Sequence, residues 1–141
     1  MKKKWMYLIL GMAAVLVLLT ACNGNESQSV DPLEGTSWEL LFYRKSAVLE
    51  GTETTITFEN GEVRGSAGRN SYFGSYQIRG QNLTTGQIGA TEMYCEKPEG
   101  LWEQEVFFLE TLNDAQRFEL RDDRLEIFRS DGEALTFEPK E

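Results

Sequence analysis

The chain has 141 residues, enough for one domain and not for two. Apolar residues make up 40% and charged residues 26%, which is typical of a globular protein and too apolar for a disordered one. There is no histidine, so Ser-His-Asp and Cys-His nucleophile pairs, histidine metal ligands and histidine pH switches are excluded. Two cysteines are too few for a disulfide framework. We predict no cofactor and no metal site.

The N-terminal region has the pattern of a secretory signal. Three lysines, Lys2–Lys4, precede an uncharged run from Trp5 to Ala21. The run ends in Leu19-Thr20-Ala21-Cys22, which resembles the bacterial lipobox, an aliphatic residue and two small residues before cysteine. We predict cleavage after Ala21 and acylation of Cys22 by a diacylglycerol with palmitate-type chains. The mature protein is then expected on the extracytoplasmic side of the cell membrane or outer membrane.

Two alternatives to lipidation stay open at this point. One is an uncleaved anchor helix, although the 17 uncharged residues are at the lower limit for spanning a bilayer. The other is a secreted protein in which Cys22 is incidental. Lipidation is preferred because a membrane helix leaves the lone cysteine unexplained. Two or three acyl chains anchor a protein stably, since each buried methylene contributes roughly 0.8 kcal/mol.

The mature chain is strongly acidic. Loss of the three signal lysines takes the net charge from −9 to −12. Such a surface repels phosphate backbones, so a nucleic-acid partner is not expected. We also predict that the protein is a monomer. Residues 1–21 form the predicted signal peptide, 22–32 a lipidated N-terminus and flexible tether, and 33–141 the folded domain.

Short apolar segments with period-two alternation predict strands in the first part of the domain. Asn60-Gly61 has the composition of a type I′ hairpin turn, because both central residues of that turn need positive φ. A second hairpin is predicted around Gly80-Gln81. The predicted strands are Thr36–Tyr43, Thr54–Glu59, Glu62–Ser66, Ser75–Arg79, Asn82–Thr85 and Gln87–Tyr94.

One helix and three further strands are predicted in the second part. A stripe at helical spacing lies between Pro98-Glu99-Gly100 and Asn113-Asp114. Its members are Leu101, Trp102, Glu105, Val106, Phe108, Leu109 and Leu112. The following strands are Arg117–Arg121, Arg124–Arg129 and Ala134–Glu138. The predicted class is therefore α+β and mostly β. We expect a curved antiparallel sheet or an incomplete, cracked β-barrel of about eight short strands, with the helix covering one open side.

The segment from Gly65 to Tyr76 is rich in glycine, tyrosine and asparagine. Glycines in such a segment indicate positive φ or close backbone contact, and Asn70 can hydrogen-bond its own turn. A bent strand connection packed by tyrosines is preferred over a ligand-binding loop, because no phosphate-loop lysine or catalytic group accompanies it. The residues singled out are Gly65, Gly68, Asn70, Tyr72, Gly74 and Tyr76.

No residue is predicted to be catalytic. Carboxylate pairs such as Glu99 and Glu103 are interpreted as part of a solvated acidic face, since all 23 acidic residues lie in the mature chain. The aspartates of the last turns lack a calcium-loop pattern and suit tight hairpins. Cys95 is interpreted as a buried core residue rather than a reactive thiol, although Arg69 or Lys97 could supply a cationic neighbour.

Three motifs occur in a family order. The opening segment Gly35–Leu40, which contains Trp38, resembles a G-x-W-x-L strand. Gly65–Tyr76 resembles G-x-x-G-C-N-x-Y-x-G-x-Y, and Thr91–Cys95, with Met93 at its centre, resembles T-x-M-x-C. With the helix that follows, these motifs resemble the META/HslJ domain family of bacterial envelope proteins over about residues 33–137.

The resemblance implies a small β-rich fold of the incomplete-barrel kind and no established enzymatic activity. Members are often lipoproteins or periplasmic proteins linked to envelope stress, antibiotic tolerance or secretion. One departure matters, because the family commonly has cysteine where this chain has Arg69. A disulfide between that position and the position of Cys95, plausible in relatives, is impossible here.

We therefore expect a non-enzymatic envelope lipoprotein that acts in the envelope or in a stress response by binding a small apolar ligand or another envelope component. A ligand carrier is expected to have a cavity lined by residues such as Phe42, Phe58 and Tyr76. The alternative is a structural or inhibitory protein–protein interaction module, acting through a sheet edge or the helix of Trp102, with a filled core and an exposed apolar patch. A hydrolase that uses carboxylates alone is a third, weaker hypothesis.

Overall fold

The computed structural model describes residues 30–93 and 98–141. The predictions for Ala21, Cys22, Tyr94 and Cys95 therefore lie outside the described residues. Within the described part of the chain no helix is long and apolar enough to span a bilayer. The elements are β1 (Thr36–Tyr43), β2 (Ser46–Ala47), β3 (Glu53–Glu59), β4 (Glu62–Gly68), β5 (Ser71–Arg79), β6 (Asn82–Thr85), β7 (Gly89–Ala90), α1 (Leu101–Asn113), β8 (Ala115–Arg121), β9 (Arg124–Arg129) and β10 (Ala134–Pro139).

Eight strands form a closed antiparallel barrel in the order β1-β3-β4-β5-β6-β8-β9-β10, and β10 pairs again with β1. The short strands β2 and β7 add to β1 and β5. The predicted fold, mostly β with about eight barrel strands and one helix, is confirmed. Among neighbouring barrel strands, β6 and β8 have the shortest pairing. Asn82 pairs with Arg117, and the Phe118 N–H donates to the Gln81 carbonyl at 3.0 Å.

Most predicted strand boundaries agree with the structure, and the differences come from long-range pairing. β5 begins at Ser71 and not at Ser75, because residues 71–75 pair with residues 62–66 of β4. The segment Gly65–Tyr76 is therefore two paired strands joined at Arg69-Asn70, where a bent connection between strands was predicted. In the predicted strand Gln87–Tyr94, only Gly89–Ala90 is paired among the described residues, and β2 was not predicted. The Asn60-Gly61 turn has the predicted positive φ values, 55° and 74°.

Side chains fill the barrel interior. Phe58 meets Tyr76 edge-on at 5.0 Å between ring centroids, and Phe108 contacts both Tyr72, at 5.3 Å, and Phe137, at 6.3 Å. Such edge-to-face pairs add to the stabilisation gained from apolar burial. The buried core also includes Leu33, Leu40, Ile56, Val63, Leu83, Leu112, Leu125, Ile127 and Leu135.

Helix α1 closes one end of the barrel, where β3 begins and β4 ends; we call this the helix end. Its buried face includes Leu101, Phe107, Phe108 and Leu112. Gln104, also fully buried, accepts a hydrogen bond from the Leu49 N–H at 2.8 Å and donates to the hydroxyls of Thr52, at 3.2 Å, and Thr54, at 3.3 Å. These bonds satisfy a buried amide and hold the helix against the entry to β3.

The N-terminal turn closes the opposite end, which holds the Asn60-Gly61 turn; we call this the hairpin end. Leu33 is fully buried there, and its carbonyl accepts a hydrogen bond from the Thr36 hydroxyl at 2.6 Å. The Gly35 N–H donates to the Phe58 carbonyl at 2.8 Å. The chain therefore enters the fold at the end of the barrel opposite the helix.

Candidate functional site

Gly65, on β4, lies very close to the backbone of β3. A Cβ atom at this position would lie 2.8 Å from the carbonyl carbon of Thr55 and closer still to its oxygen, so only glycine fits. The regular β3–β4 pairing is interrupted around Thr55. The Tyr72 hydroxyl donates to the Thr55 carbonyl at 2.8 Å, and the Ser66 N–H donates to the Thr55 hydroxyl at 3.2 Å. Burial raises the pKa of Tyr72, so its hydroxyl stays protonated and remains a donor.

Asn70 connects three parts of the helix end. Its side-chain oxygen accepts hydrogen bonds from the Met93 N–H at 2.7 Å and the Thr91 hydroxyl at 2.9 Å. Its backbone N–H donates to Oε1 of Glu105 at 3.3 Å. Arg69 donates from Nη1 to the Met93 carbonyl at 3.0 Å. The β4–β5 turn therefore positions residues 91–93 on one side and helix α1 on the other.

Between residues 91–93 and α1 lies a surface groove of about 440 Å³. Its helix wall is formed by Trp102, Glu105, Val106 and Leu109, which follow the spacing i, i+3, i+4, i+7 of one helix face. Trp102 is 61% exposed and Met93, on the facing wall, is 57% exposed. The other described lining residues are Arg69, Asn70, Ala90, Thr91 and Glu92.

The described lining of the groove carries two carboxylates and one guanidinium, from Glu92, Glu105 and Arg69. Glu105 is only 4% exposed. Oε1 of Glu105 accepts the Asn70 N–H, whereas Oε2 accepts no hydrogen bond from a described residue. The described residues contain no group of three cysteine or acidic side chains that could hold a metal ion.

A second polar cluster lies at the hairpin end. The Tyr76 hydroxyl lies 2.6 Å from Oδ2 of Asp31 and 3.0 Å from Oε2 of Glu34. Burial, followed by the hydrogen bonds to the two carboxylates, raises the pKa of Tyr76 far above its ordinary range. The Asn60 N–H, at 2.7 Å, and then the Tyr76 hydroxyl lower the pKa of Glu34. Asp31, within the range predicted as tether, therefore already contacts the barrel.

The structure places the described motif residues at the two ends of the barrel and along the wall between them. Gly68, with φ of 116°, lies with Asn70, Thr91 and Met93 at the helix end. Trp38 donates its indole N–H to the Thr36 hydroxyl at 2.8 Å, at the hairpin end with Tyr76. The others, Gly65, Tyr72 and Gly74, lie along the wall formed by β4 and β5.

The sequence alone did not predict that the groove residues lie close together. Glu92, Glu105 and Leu109 had no role beyond the acidic face or the helix pattern. Glu105 carried one usable signal, because it is an acidic residue inside an otherwise apolar helical stripe. Trp102, expected within that stripe, instead lies largely exposed on the groove.

A family model of the META domain matches residues 31–141. The chain belongs to the META domain family. The resemblance inferred from the motifs is therefore confirmed. No curated protein matches the chain significantly.

Solved structures of the same fold extend this result. A protein from Burkholderia xenovorans, solved by NMR, is 25% identical with a TM-score of 0.64, over 77% of this chain and 83% of that one. A second NMR structure is 20% identical with a TM-score of 0.63, over 75% of this chain and 90% of that one. A DUF4847 family protein from Bacteroides vulgatus is 14% identical with a TM-score of 0.51, over 76% of this chain and 94% of that one.

Proposed function

We propose that the protein is a lipid-anchored, non-enzymatic binding module of the bacterial envelope, and that it holds part of another envelope protein in the groove at the helix end. The observation that carries the proposal is the exposure of two large apolar side chains, Trp102 and Met93, on opposite walls of this groove. Large apolar side chains gathered on a concave surface are typical of interaction sites.

The filled barrel favours a protein partner over a small apolar ligand inside it. Phe58 and Tyr76, two of the residues expected to line a ligand cavity, contact each other in the core. Phe42, the third, is 37% exposed. These three residues therefore do not surround a common space. A full core beside an exposed apolar patch is the arrangement expected of an interaction module.

The point at which the chain enters the barrel supports a partner on the side away from the membrane. The chain enters at the hairpin end, where Asp31 and Glu34 contact Tyr76. The groove lies at the helix end, roughly 20 Å away along a seven-residue strand such as β4. If Cys22 carries the membrane anchor, the groove lies at the end of the barrel opposite the attachment of the tether, where another envelope protein can reach it.

The anchoring part of the proposal is tested by membrane fractionation. We expect a Cys22→Ser variant to leave the membrane pellet, because the acyl chains are lost. The matched control is Cys95→Ser, which removes the other cysteine and is expected to remain in the pellet. If the Cys22→Ser variant also remained in the pellet, an uncleaved helix would be the better explanation.

The binding part is tested by site-specific photo-crosslinking in cells. A benzophenone side chain is placed at Met93, in the groove, or at Leu120, which is 44% exposed on β8. We expect discrete adducts from position 93 that disappear when Trp102→Ala is added, and none of the same adducts from position 120. Adducts from position 93 that survive Trp102→Ala, or no adducts there, would contradict binding in the groove.

A further inference from the structure

We infer that the groove binds an extended protein segment carrying a lysine or arginine, whose cationic group pairs with Glu105 beside the Trp102 ring. This inference rests on the proposed binding role of the groove and adds the chemistry of the occupant. Its basis is a buried carboxylate with one oxygen that no described residue bonds, an exposed indole next to it, and a strand edge along the same groove.

Glu105 supplies the anionic group. Glu105 is only 4% exposed, yet it belongs to the groove wall. One carboxylate oxygen accepts the Asn70 N–H, and the other accepts no hydrogen bond from a described residue. Burying a charged carboxylate is costly unless it is paired. A cationic group that enters the groove gains a charge-assisted hydrogen bond at this second oxygen.

Trp102 supplies a second contact for the same cation. It precedes Glu105 by three residues on α1, so their Cβ atoms lie about 5–6 Å apart on one helix face. Its ring is largely solvent-exposed and is therefore accessible to an incoming group. Lysine and arginine cations favour the face of tryptophan over other aromatic rings. A carboxylate and an indole at this spacing discriminate a cationic side chain from a neutral one of similar length.

The surrounding charge favours the same occupant. Glu92 lies on the wall facing Glu105, and Arg69 is the one cationic residue of the described lining. Nη1 of Arg69 donates to the Met93 carbonyl, and this hydrogen bond helps to hold the groove wall in place. The described lining therefore has one net negative charge, on a chain whose net charge is −9. This charge attracts basic partners and repels acidic ones.

The backbone next to the groove favours an extended segment. β7 pairs with β5 on one edge, and no described strand pairs with its other edge. Ala90 of β7 also belongs to the groove lining. A free edge can accept an added strand through main-chain hydrogen bonds. Val106 and Leu109 then offer apolar contact to side chains that neighbour the cation.

The test uses full-length protein in nonionic detergent, labelled with 5-fluorotryptophan and followed by fluorine NMR. The Trp102 resonance is assigned by its loss in Trp102→Phe. The probes are an acetylated, amidated peptide of sequence Leu-Thr-Lys-Val-Thr-Leu and the same peptide with glutamine in place of lysine. We expect saturable shifts of the Trp102 signal, with the lysine peptide binding about tenfold or more tightly, the scale of a desolvated ion pair.

The matched variant is Glu105→Gln, which keeps the side-chain shape and an oxygen that accepts the Asn70 N–H. We expect it to bind both peptides equally, at the affinity of the glutamine peptide for the unmodified protein. Equal binding of the two peptides by the unmodified protein would overturn cation recognition but leave groove binding standing.

Two further outcomes overturn the inference in other ways. If N-acetyl-lysine methylamide alone binds as tightly as the lysine peptide, the occupant is a small cation and not a protein segment. If neither peptide shifts the Trp102 signal, the inference fails, while photo-crosslinking from Met93 decides separately whether the groove binds a partner.

Discussion

The two ends of the barrel are closed in different ways. At the hairpin end, the N-terminal turn inserts Leu33 into the core and brings Asp31 and Glu34 to the Tyr76 hydroxyl. At the helix end, α1 inserts Phe107 and Phe108 but leaves a groove along its outer face. The first end uses its polar groups within the fold, whereas the second leaves large apolar groups exposed.

This difference indicates that some family motif residues close the hairpin end, whereas others shape the groove at the helix end. Tyr76 and Trp38 are used for closure at the hairpin end. Asn70 builds the groove wall by holding residues 91–93 in place. A motif residue can therefore contribute to the fold without lining the groove. Substitutions at the two ends are expected to separate loss of stability from loss of binding.

The largest effect is expected in the wall that joins the two ends. In Gly65→Ala the new methyl group meets the Thr55 carbonyl, which is backbone and cannot move aside without disturbing β3. The Tyr72 hydrogen bond to the same carbonyl is then strained as well. We expect the free energy of unfolding to fall by at least about 2–3 kcal/mol, measured by urea denaturation.

Gly80→Ala is the control for this substitution. Gly80 has a positive φ of 63°, and nothing lies within 4 Å of a Cβ added there. Gly80→Ala is therefore expected to lower the free energy of unfolding by roughly 1 kcal/mol, because alanine is strained in the left-handed backbone conformation even without a steric clash. If the two variants lost equal stability, close approach of β3 and β4 would not be the reason for glycine at position 65.

The next effect tests closure of the hairpin end. Tyr76→Phe keeps the ring packed against Phe58 but removes the hydroxyl that lies between Asp31 and Glu34. We expect a loss of about 1–2 kcal/mol in urea denaturation, because a hydrogen bond to a charged group is lost. Tyr43→Phe, on a half-buried tyrosine, is the matched control and is expected to change stability by less than about 0.5 kcal/mol.

A smaller effect is expected at alkaline pH. The pKa values of Tyr72 and Tyr76 are raised in the folded state, so the unfolded chain releases these protons first. The corresponding stability is fully present below about pH 10, the ordinary tyrosine pKa, and declines as the pH rises above it. Urea denaturation at about pH 8 and about pH 10.5 checks this expectation. Tyr76→Phe should lose less stability between these values than the unmodified protein, and an equal loss would exclude Tyr76 as a cause.

The sequence predicts the strands well where the signal is local. β1 and its bounds follow from one apolar run, and the Asn60-Gly61 turn follows from the φ values that its residues permit. The start of β5 was placed four residues late, because Ser71–Gly74 become a strand only by pairing with β4. The two-residue strands β2 and β7 likewise depend on partners that no local pattern shows.

The candidate site was harder to predict than the fold. Its walls come from residues about 35 positions apart, such as Asn70 and Glu105, which meet only when α1 lies across the barrel end. The helical pattern placed Trp102 and Glu105 in one stripe with the core residues. The helix buries Glu105 together with Gln104 and Phe107 but turns the indole of Trp102 outward, because closing the barrel end fixes its rotation.

The smallest change in stability is expected at the residue on which binding depends most. Trp102 is 61% exposed, so Trp102→Ala should change the free energy of unfolding by less than about 0.5 kcal/mol, in contrast to Gly65→Ala. The same variant should abolish crosslinking from position 93, because aromatic residues commonly dominate interface energies. Urea denaturation of the purified variant measures the first effect, and photo-crosslinking in cells measures the second. A large loss of stability would mean that Trp102 helps close the helix end, and the two ends would then differ less than their exposed surfaces indicate.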